Sequence, residues 1–361
     1  MLHPTIRRSP YFERTLSHGA CDFMVYNHTY MPMGYGRDPR EDYRALVERV
    51  TLWDVGAERQ CELRGPGALA LADHLAPRRL SDLEVGECRY TPVCDRAGAI
   101  MCECIVLRPW EDVVWFSHSD VDLTLWAAGV ALARGDDVTV AEADIAPLQL
   151  QGPRAAEVLA GVADADPARL GRHRCAPTRV AGVEAVVSNT GWSREAGYEL
   201  YPLGSDRAAE LWDALCAAGE PHGLLVTGPN VVRAVEQGIS DTQYATNSGM
   251  NPIEAGIGNL LDLDRDFIGG DALRAVRDAG PARTTVGLVC DGAPFPAMEQ
   301  HWPVETGTGE PAGVARWAVY SFALERNIAV ALVDAGLDAA GLLVQAPDGP
   351  RLGEPHPIPF L

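Results

Sequence analysis

Hydrophobic and polar positions along this chain follow two periods in turn. Stretches of strand type, rich in β-branched or aromatic residues, occur at 113–117, 182–188 and 198–203. Between them lie segments of helical spacing. Asp38-Pro39 places a capping carboxylate and a first-turn proline ahead of a helix over 40–50, and Gly152-Pro153 opens 154–162 in the same manner. Ser205 is positioned to cap a segment whose Ala208, Leu211, Trp212 and Leu215 share one face. That face is expected in the core, with the helix stopping near Gly219. Gly228-Pro229-Asn230 begins another helix that runs to Gln237 and closes at Gly238.

After Ala279-Gly280-Pro281 the pattern changes to short strands and turns, at 286–290, 313–316, 328–333 and 341–345. This predicts a separate C-terminal domain over 279–361, a small β-barrel or sandwich, with 1–278 as the main body. No internal repeat or low-complexity stretch interrupts either part.

At 361 residues and 47% hydrophobic content, the chain can bury a sizeable core without help from metal or disulfide. Its nine cysteines, an odd number without repeated spacing, are expected as reduced thiols. No run of 18 apolar residues occurs and the first residues lack the apolar core of a signal peptide, so a cytoplasmic protein with no membrane partner is expected. The net charge of −20, with basic residues interspersed among acids, argues against nucleic acid. The acidity reads as a solubility feature.

Several chemistries drop out by motif. No Gly-x-Gly-x-x-Gly, P-loop or nucleophile elbow is present, and Ser117-His118 lacks the setting of a hydrolase triad. Cys102 and Cys104 would share one face of a strand, but the spacing is not Cys-x-x-Cys and only His118 lies near. Inert thiols and no metal are expected.

The segment Thr190-Gly191-Trp192-Ser193-Arg194-Glu195-Ala196-Gly197-Tyr198-Glu199 carries more chemistry. Two glycines allow close backbone approach to a flat ligand, Trp192 offers an aromatic wall, and Glu195 can accept paired hydrogen bonds. It resembles the Thr-Gly-Tyr-Thr-Gly-Glu-x-Gly-Phe-Glu signature of the glycine-cleavage T-protein (aminomethyltransferase) family. The likeness extends over nearly the whole chain and is nearest to the family's tetrahydrofolate-dependent demethylase branch. Leu52-Trp53-Asp54-Val55 continuing to Gln60, Arg89-Tyr90-Thr91-Pro92, Asn251-Pro252-Ile253-Glu254 and Asp266-Phe267-Ile268-Gly269 carry it too.

The resemblance implies an α+β fold in which two interleaved subdomains surround a central folate channel closed by the C-terminal barrel. It implies tetrahydrofolate as cofactor, with Tyr90, Trp192 and Glu195 holding the pterin. Glu103 is the catalytic candidate. Trp53, Tyr26 and His28 would face a small-molecule substrate, and an acidic, aromatic mouth favours a cationic or zwitterionic donor. The expected activity moves a methyl from a small S-, O- or N-methylated substrate to N5 of tetrahydrofolate. Alternatives are aminomethyl transfer, a biosynthetic tailoring reaction using a folate-borne carbon, and a folate-binding accessory protein without turnover.

Three positions depart from the family pattern. Cys102-Glu103 stands where relatives carry two adjacent acids. Ala234 replaces a helix arginine that Arg233, about 100° round the helix, cannot restore. Ser240-Asp241-Thr242-Gln243-Tyr244 stands in place of Tyr-Gly-x-Asp.

Overall fold

The computed structural model describes residues 3–239 and 248–361; the departure at Thr242 lies outside the described residues. The chain packs as two compact units, one of residues up to 93 with 102–229, the other of 94–101 with the chain from 230 onward.

The first unit is built on two sheets. The larger runs, in spatial order, Cys175–Val180, Val183–Ser188, Gly197–Pro202, Leu148–Gln151, Val50–Asp54 and Leu224–Thr227, antiparallel except for the last pair. Alternation along each strand sorts its residues by face. Val50, Leu52, Leu148, Leu150, Ala185, Val187 and Leu200 point one way, into a core completed by the helices Ala155–Ala160 and Ala208–Gly219. Leu211, Trp212 and Leu215 of the second helix are fully buried there, as their spacing predicts. Its start differs from expectation, because Ser205 turns its hydroxyl to Asp144 (3.4 Å) and Arg207 is the N-cap without a side-chain cap bond. The helix Pro39–Glu48 does use its predicted cap, Asp38 accepting from the Arg40 N–H at 2.9 Å.

The opposite face of that sheet is polar yet covered. Thr227, Trp53, Gln149, Glu199 and Ser188 are successive partners across five strands, and all are buried. The second sheet, in order Cys88–Cys94, Ile100–Trp110, Val113–His118, Arg59–Arg64 and Thr139–Glu142, contributes to the layer with Trp115, Leu107 and Cys88, packed against Tyr201, Val186 and Cys175. A smaller sheet of Arg7–Arg8, Thr29–Gly34 and Asp22–Tyr26 carries the N-terminal segment.

The second unit contains a closed six-stranded barrel, in order Arg283–Cys290, Arg326–Asp334, Pro311–Ser321, Trp302–Glu305, Leu342–Ala346 and Gly349–His356. Leu288, Trp302, Val304, Ala315, Ala331 and Val344 fill it. All four predicted C-terminal strands fall within it; Trp302–Glu305 and Gly349–His356 were not anticipated. Ahead of the barrel, the helix Val231–Glu236 buries Ala234, and Arg233 pairs at 3.1 Å with the fully buried Glu236. Asn251 accepts from the Ile253 and Glu254 N–H groups, and Glu254 pairs with Arg283 at 2.8 Å, so this motif is structural within its unit.

Candidate active site

Neighbouring strands of the second sheet bring Tyr90 and Glu103 together, the phenol donating to Glu103 Oε1 at 2.5 Å. Burial first, and the Glu103 charge second, push the Tyr90 hydroxyl well above its ordinary value, so it remains a donor. Glu103 is itself nearly buried, at 8% exposure, and its backbone is fixed by Ser119 in both directions. Strand alternation points Cys102 and Cys104 away from Glu103, their sulfurs 3.6 Å apart and both buried. Burial drives the Cys104 thiol well up and the neighbouring Cys61 thiol to about 12, which keeps both protonated. Among the described residues no group of three metal-ligating side chains forms.

Tyr26 reaches the same neighbourhood, its hydroxyl meeting Ser119 with Glu58 and Asp120 close by. The next two residues, Asn27 and His28, both have positive φ and make the two-residue turn of a hairpin. Asn27 is locked inside, bonding the Ala57 and His118 carbonyls. His28 is left outside, exposed and 3.4 Å from Asp122, and the structure does not bring it to the Tyr90–Glu103 pair.

The glycine-rich turn is held from beneath by the larger sheet. Trp192 receives its anchor at the backbone, its N–H donating to Gln149 Oε1 (3.2 Å), while its ring packs on Leu46, Trp53 and Val55. Trp53 has no exposed surface; it backs Trp192 and presents no face of its own. Gly191 and Gly197 correct the expectation of close approach to a ligand. A Cβ at either would strike the Gln151 side chain, at 2.2 and 2.6 Å, so they make room for Gln151. Gln151 in turn accepts from Ser193 Oγ at 2.8 Å. Arg194 occupies a left-handed conformation and lies toward Tyr90, linking the turn to the Tyr90–Glu103 pair.

Glu195 is half-exposed, its N–H donating to Ser193. The second acid of the motif, Glu199, is the desolvated one, 4% exposed on the polar rung. Its Oε2 accepts from Tyr201 (2.9 Å) and from Thr190; its Oε1 accepts from Gln149 Nε2 at 2.7 Å. Burial raises its carboxyl above the usual range, and burial together with the Glu199 charge does the same to Glu58. Glu58, Gln149, Glu199 and Tyr201 were not selected from sequence. The available signal was the polar half of the strand alternation at 149–151 and 199–201.

The residues present fit a reduced pterin. Gln149 joins the Trp192 backbone to Glu199, so an aromatic wall and a carboxyl acceptor share one support. Next to Gln149 on the adjacent strand, the Trp53 Nε1 donor is buried without a hydrogen-bond partner among the described residues. A shallow surface hollow of about 440 Å³ lined by Trp110, Arg179 and Leu203 contains none of these groups.

Known proteins match this chain along most of its length. Residues 11–265 match the GCVT N-terminal domain and 283–354 the glycine cleavage T-protein C-terminal barrel domain. A dimethylsulfoniopropionate demethylase of Ruegeria pomeroyi is 33% identical over 96% of this chain and 95% of its own. An aminomethyltransferase of Streptomyces avermitilis is 31% identical over 91% and 89%. In fold, the glycine cleavage system aminomethyltransferase T of Bartonella henselae superposes with a TM-score of 0.87 at 20% identity, covering 99% of this chain and 98% of that one. Fold and relatives define a tetrahydrofolate-dependent one-carbon transferase. The chain belongs to the glycine-cleavage T-protein family.

Proposed function

We propose that the protein demethylates a small S-, O- or N-methylated donor and passes the methyl to tetrahydrofolate. The observation that carries this is the buried rung on which Gln149 joins Glu199 to the Trp192 backbone, set in one unit with the Tyr90–Glu103 pair. When bound, tetrahydrofolate supplies the nucleophilic N5. Glu199, rather than the half-exposed Glu195, is our candidate for the pterin anchor, because among the described residues Oε1 accepts only from Gln149 and retains room for N–H donors. Trp192 offers its ring beside it, and Trp53 supports Trp192 from within.

Tyr90 and Glu103 act where the methyl is exchanged. The phenol holds the Glu103 carboxyl in one orientation, which favours positive charge on the donor and fixes its approach. Tyr26, through Ser119, closes the same wall. Glu103 is the only member of the Cys102-Glu103 pair that faces this side, which favours methyl over aminomethyl transfer. Residues 1–278 would serve as the folate-binding core and 279–361 as a separate barrel domain. Among the described residues no helix is long and apolar enough to cross a membrane; we place the protein in the cytoplasm, with small molecules rather than nucleic acid as partners.

Anaerobic calorimetric titration with tetrahydrofolate tests the reading. Micromolar affinity followed by methyl transfer from sulfonium, ammonium or aryl-ether donors is expected. No binding, with or without such donors, overturns it.

A further inference from the structure

Asn27 spends its side chain outside its own hairpin. A two-residue turn with positive φ at both centres is made by the backbone, and asparagine enters it readily because it tolerates the left-handed region. Yet Asn27 is 1% exposed, and its amide reaches two other segments. Nδ2 donates to the Ala57 carbonyl at 3.2 Å and to the His118 carbonyl at 3.3 Å, while Oδ1 accepts from the Val121 N–H at 3.0 Å. The backbone N–H of Asn27 donates to Asp120 Oδ1 at 2.7 Å. Both amide hydrogens are therefore committed to residues distant in the chain.

The segment held in this way supports Glu103. Strand pairing between Val113–His118 and Ile100–Trp110 reaches as far as His118, opposite Cys104. Beyond that pair Glu103 depends on Ser119. The Ser119 N–H donates to the Glu103 carbonyl at 3.0 Å, as in a continuing ladder, but the Glu103 N–H donates to Ser119 Oγ at 3.1 Å. The Ser119 carbonyl, which a ladder would offer, accepts instead from His118 Nδ1 at 2.8 Å. Register at Glu103 thus rests on the placement of one serine. Asn27 fixes the residues on either side of it, His118 before and Asp120 and Val121 after. At its other end Glu103 meets Tyr90, whose phenol donates to Oε1 at 2.5 Å.

We propose that Asn27 is a positioning residue of the methyl-transfer site, setting the Glu103 carboxyl against Tyr90 through Ser119. The clamp stands on the hydrogen bonds alone; its effect on turnover rests on the proposed function. Asn27 exchanges no proton and makes no covalent bond. Its contribution is alignment, and a carboxyl displaced by about 1 Å from its productive place costs on the order of a hundredfold in rate.

Asn27→Gly separates the clamp from the turn, since glycine keeps the positive φ and the N–H to Asp120 while removing the side-chain bonds. In the ligand-free full chain, hydrogen exchange read by mass spectrometry is expected to accelerate about tenfold or more in the peptides containing Glu103 and Ser119, with barrel peptides at the wild-type rate. Equal exchange of those two peptides in variant and wild type overturns the clamp. Should Asn27→Gly not fold, Asn27→Asp decides on the same peptides, because it retains an acceptor for Val121 and loses both amide donors. Kinetics with tetrahydrofolate and dimethylsulfoniopropionate judge the consequence for turnover. Asn27→Gly is expected to lower kcat about ten- to a hundredfold with tetrahydrofolate affinity within about threefold. Introduced into Glu103→Gln, the same change should cost less than about twofold, because the group it aligns is already gone. An unchanged kcat, or a loss that repeats in full on Glu103→Gln, overturns the positioning role. Absence of wild-type turnover overturns that role together with the demethylase reading it rests on, while exchange still decides the clamp.

Discussion

The Tyr90 hydroxyl and Glu103 Oε1 lie 2.5 Å apart on adjacent strands, a donor kept protonated by burial facing a nearly buried carboxyl. Their separation of thirteen residues in the chain is closed by a hairpin, so the contact is as rigid as the sheet that makes it.

Tyr90→Phe is expected to lower kcat about tenfold, the scale of one hydrogen bond to a charged partner. Glu103→Gln should cost about a hundredfold or more. In both, tetrahydrofolate affinity stays within about threefold. Steady-state kinetics beside calorimetry separate the two effects; equal losses in affinity and turnover would place the pair in folate binding instead.

Glu199→Gln should weaken tetrahydrofolate binding by about ten- to a hundredfold, from the ~1.5–3 kcal/mol attached to a charged hydrogen-bond acceptor. Glu195→Ala should change it by less than about threefold. The reverse ranking in a calorimetric comparison returns the anchor to Glu195.

Removal of the aromatic wall by Trp192→Ala is expected to cost ~0.5–1.5 kcal/mol of folate affinity, or about two- to tenfold, with most of it restored in Trp192→Phe. Quenching of tryptophan fluorescence on titration provides the readout, and unchanged affinity in the alanine variant excludes stacking there.

Gly191→Ala and Gly197→Ala should each destabilise the chain by about 1–3 kcal/mol, because the added methyl drives into Gln151 and disturbs its bond to Ser193. Chemical denaturation measures this. A second change, Gln151→Ala, should relieve the clash, so the losses will not add.

Asp54 supplies a stability signal with a defined sign. Burial pushes its carboxyl from the usual 3.8 up to about 6, with Ser9 and the Gly56 N–H offsetting only part. The folded state therefore favours the protonated form. Its contribution is complete below pH 3.8 and is lost as pH rises through 6. Asp54→Asn should accordingly gain up to about 3 kcal/mol over wild type at pH 8, and little at pH 4. Urea unfolding at both values checks it, and an equal gain at the two would remove titration as the cause.

Much of this molecule was legible before its coordinates. Helix starts written as Asp38-Pro39 and Asn230 appear as capped helices, and the change of pattern after Pro281 marks a real barrel, because capping and strand alternation are local and act within a few residues. Tyr90 and Glu103 were individually selected from the resemblance, as were Trp192 and Tyr26. His28 was selected with Tyr26 because the three residues are contiguous, yet the positive φ values of Asn27 and His28 turn the imidazole out toward Asp122.

What the sequence alone determined was which positions alternate, where elements begin, and which family pattern the chain carries. Only the tertiary structure decided that the polar half of the 148–151 and 197–202 strands lies beneath a second sheet instead of in water. That choice turns Glu199 from a surface acid into a desolvated one and gives Gly191 and Gly197 the task of admitting Gln151. It also sets Glu58 beside Tyr201. The reason is physical: strand period assigns a residue to a face, but whether that face is covered depends on pairing between segments far apart in the chain.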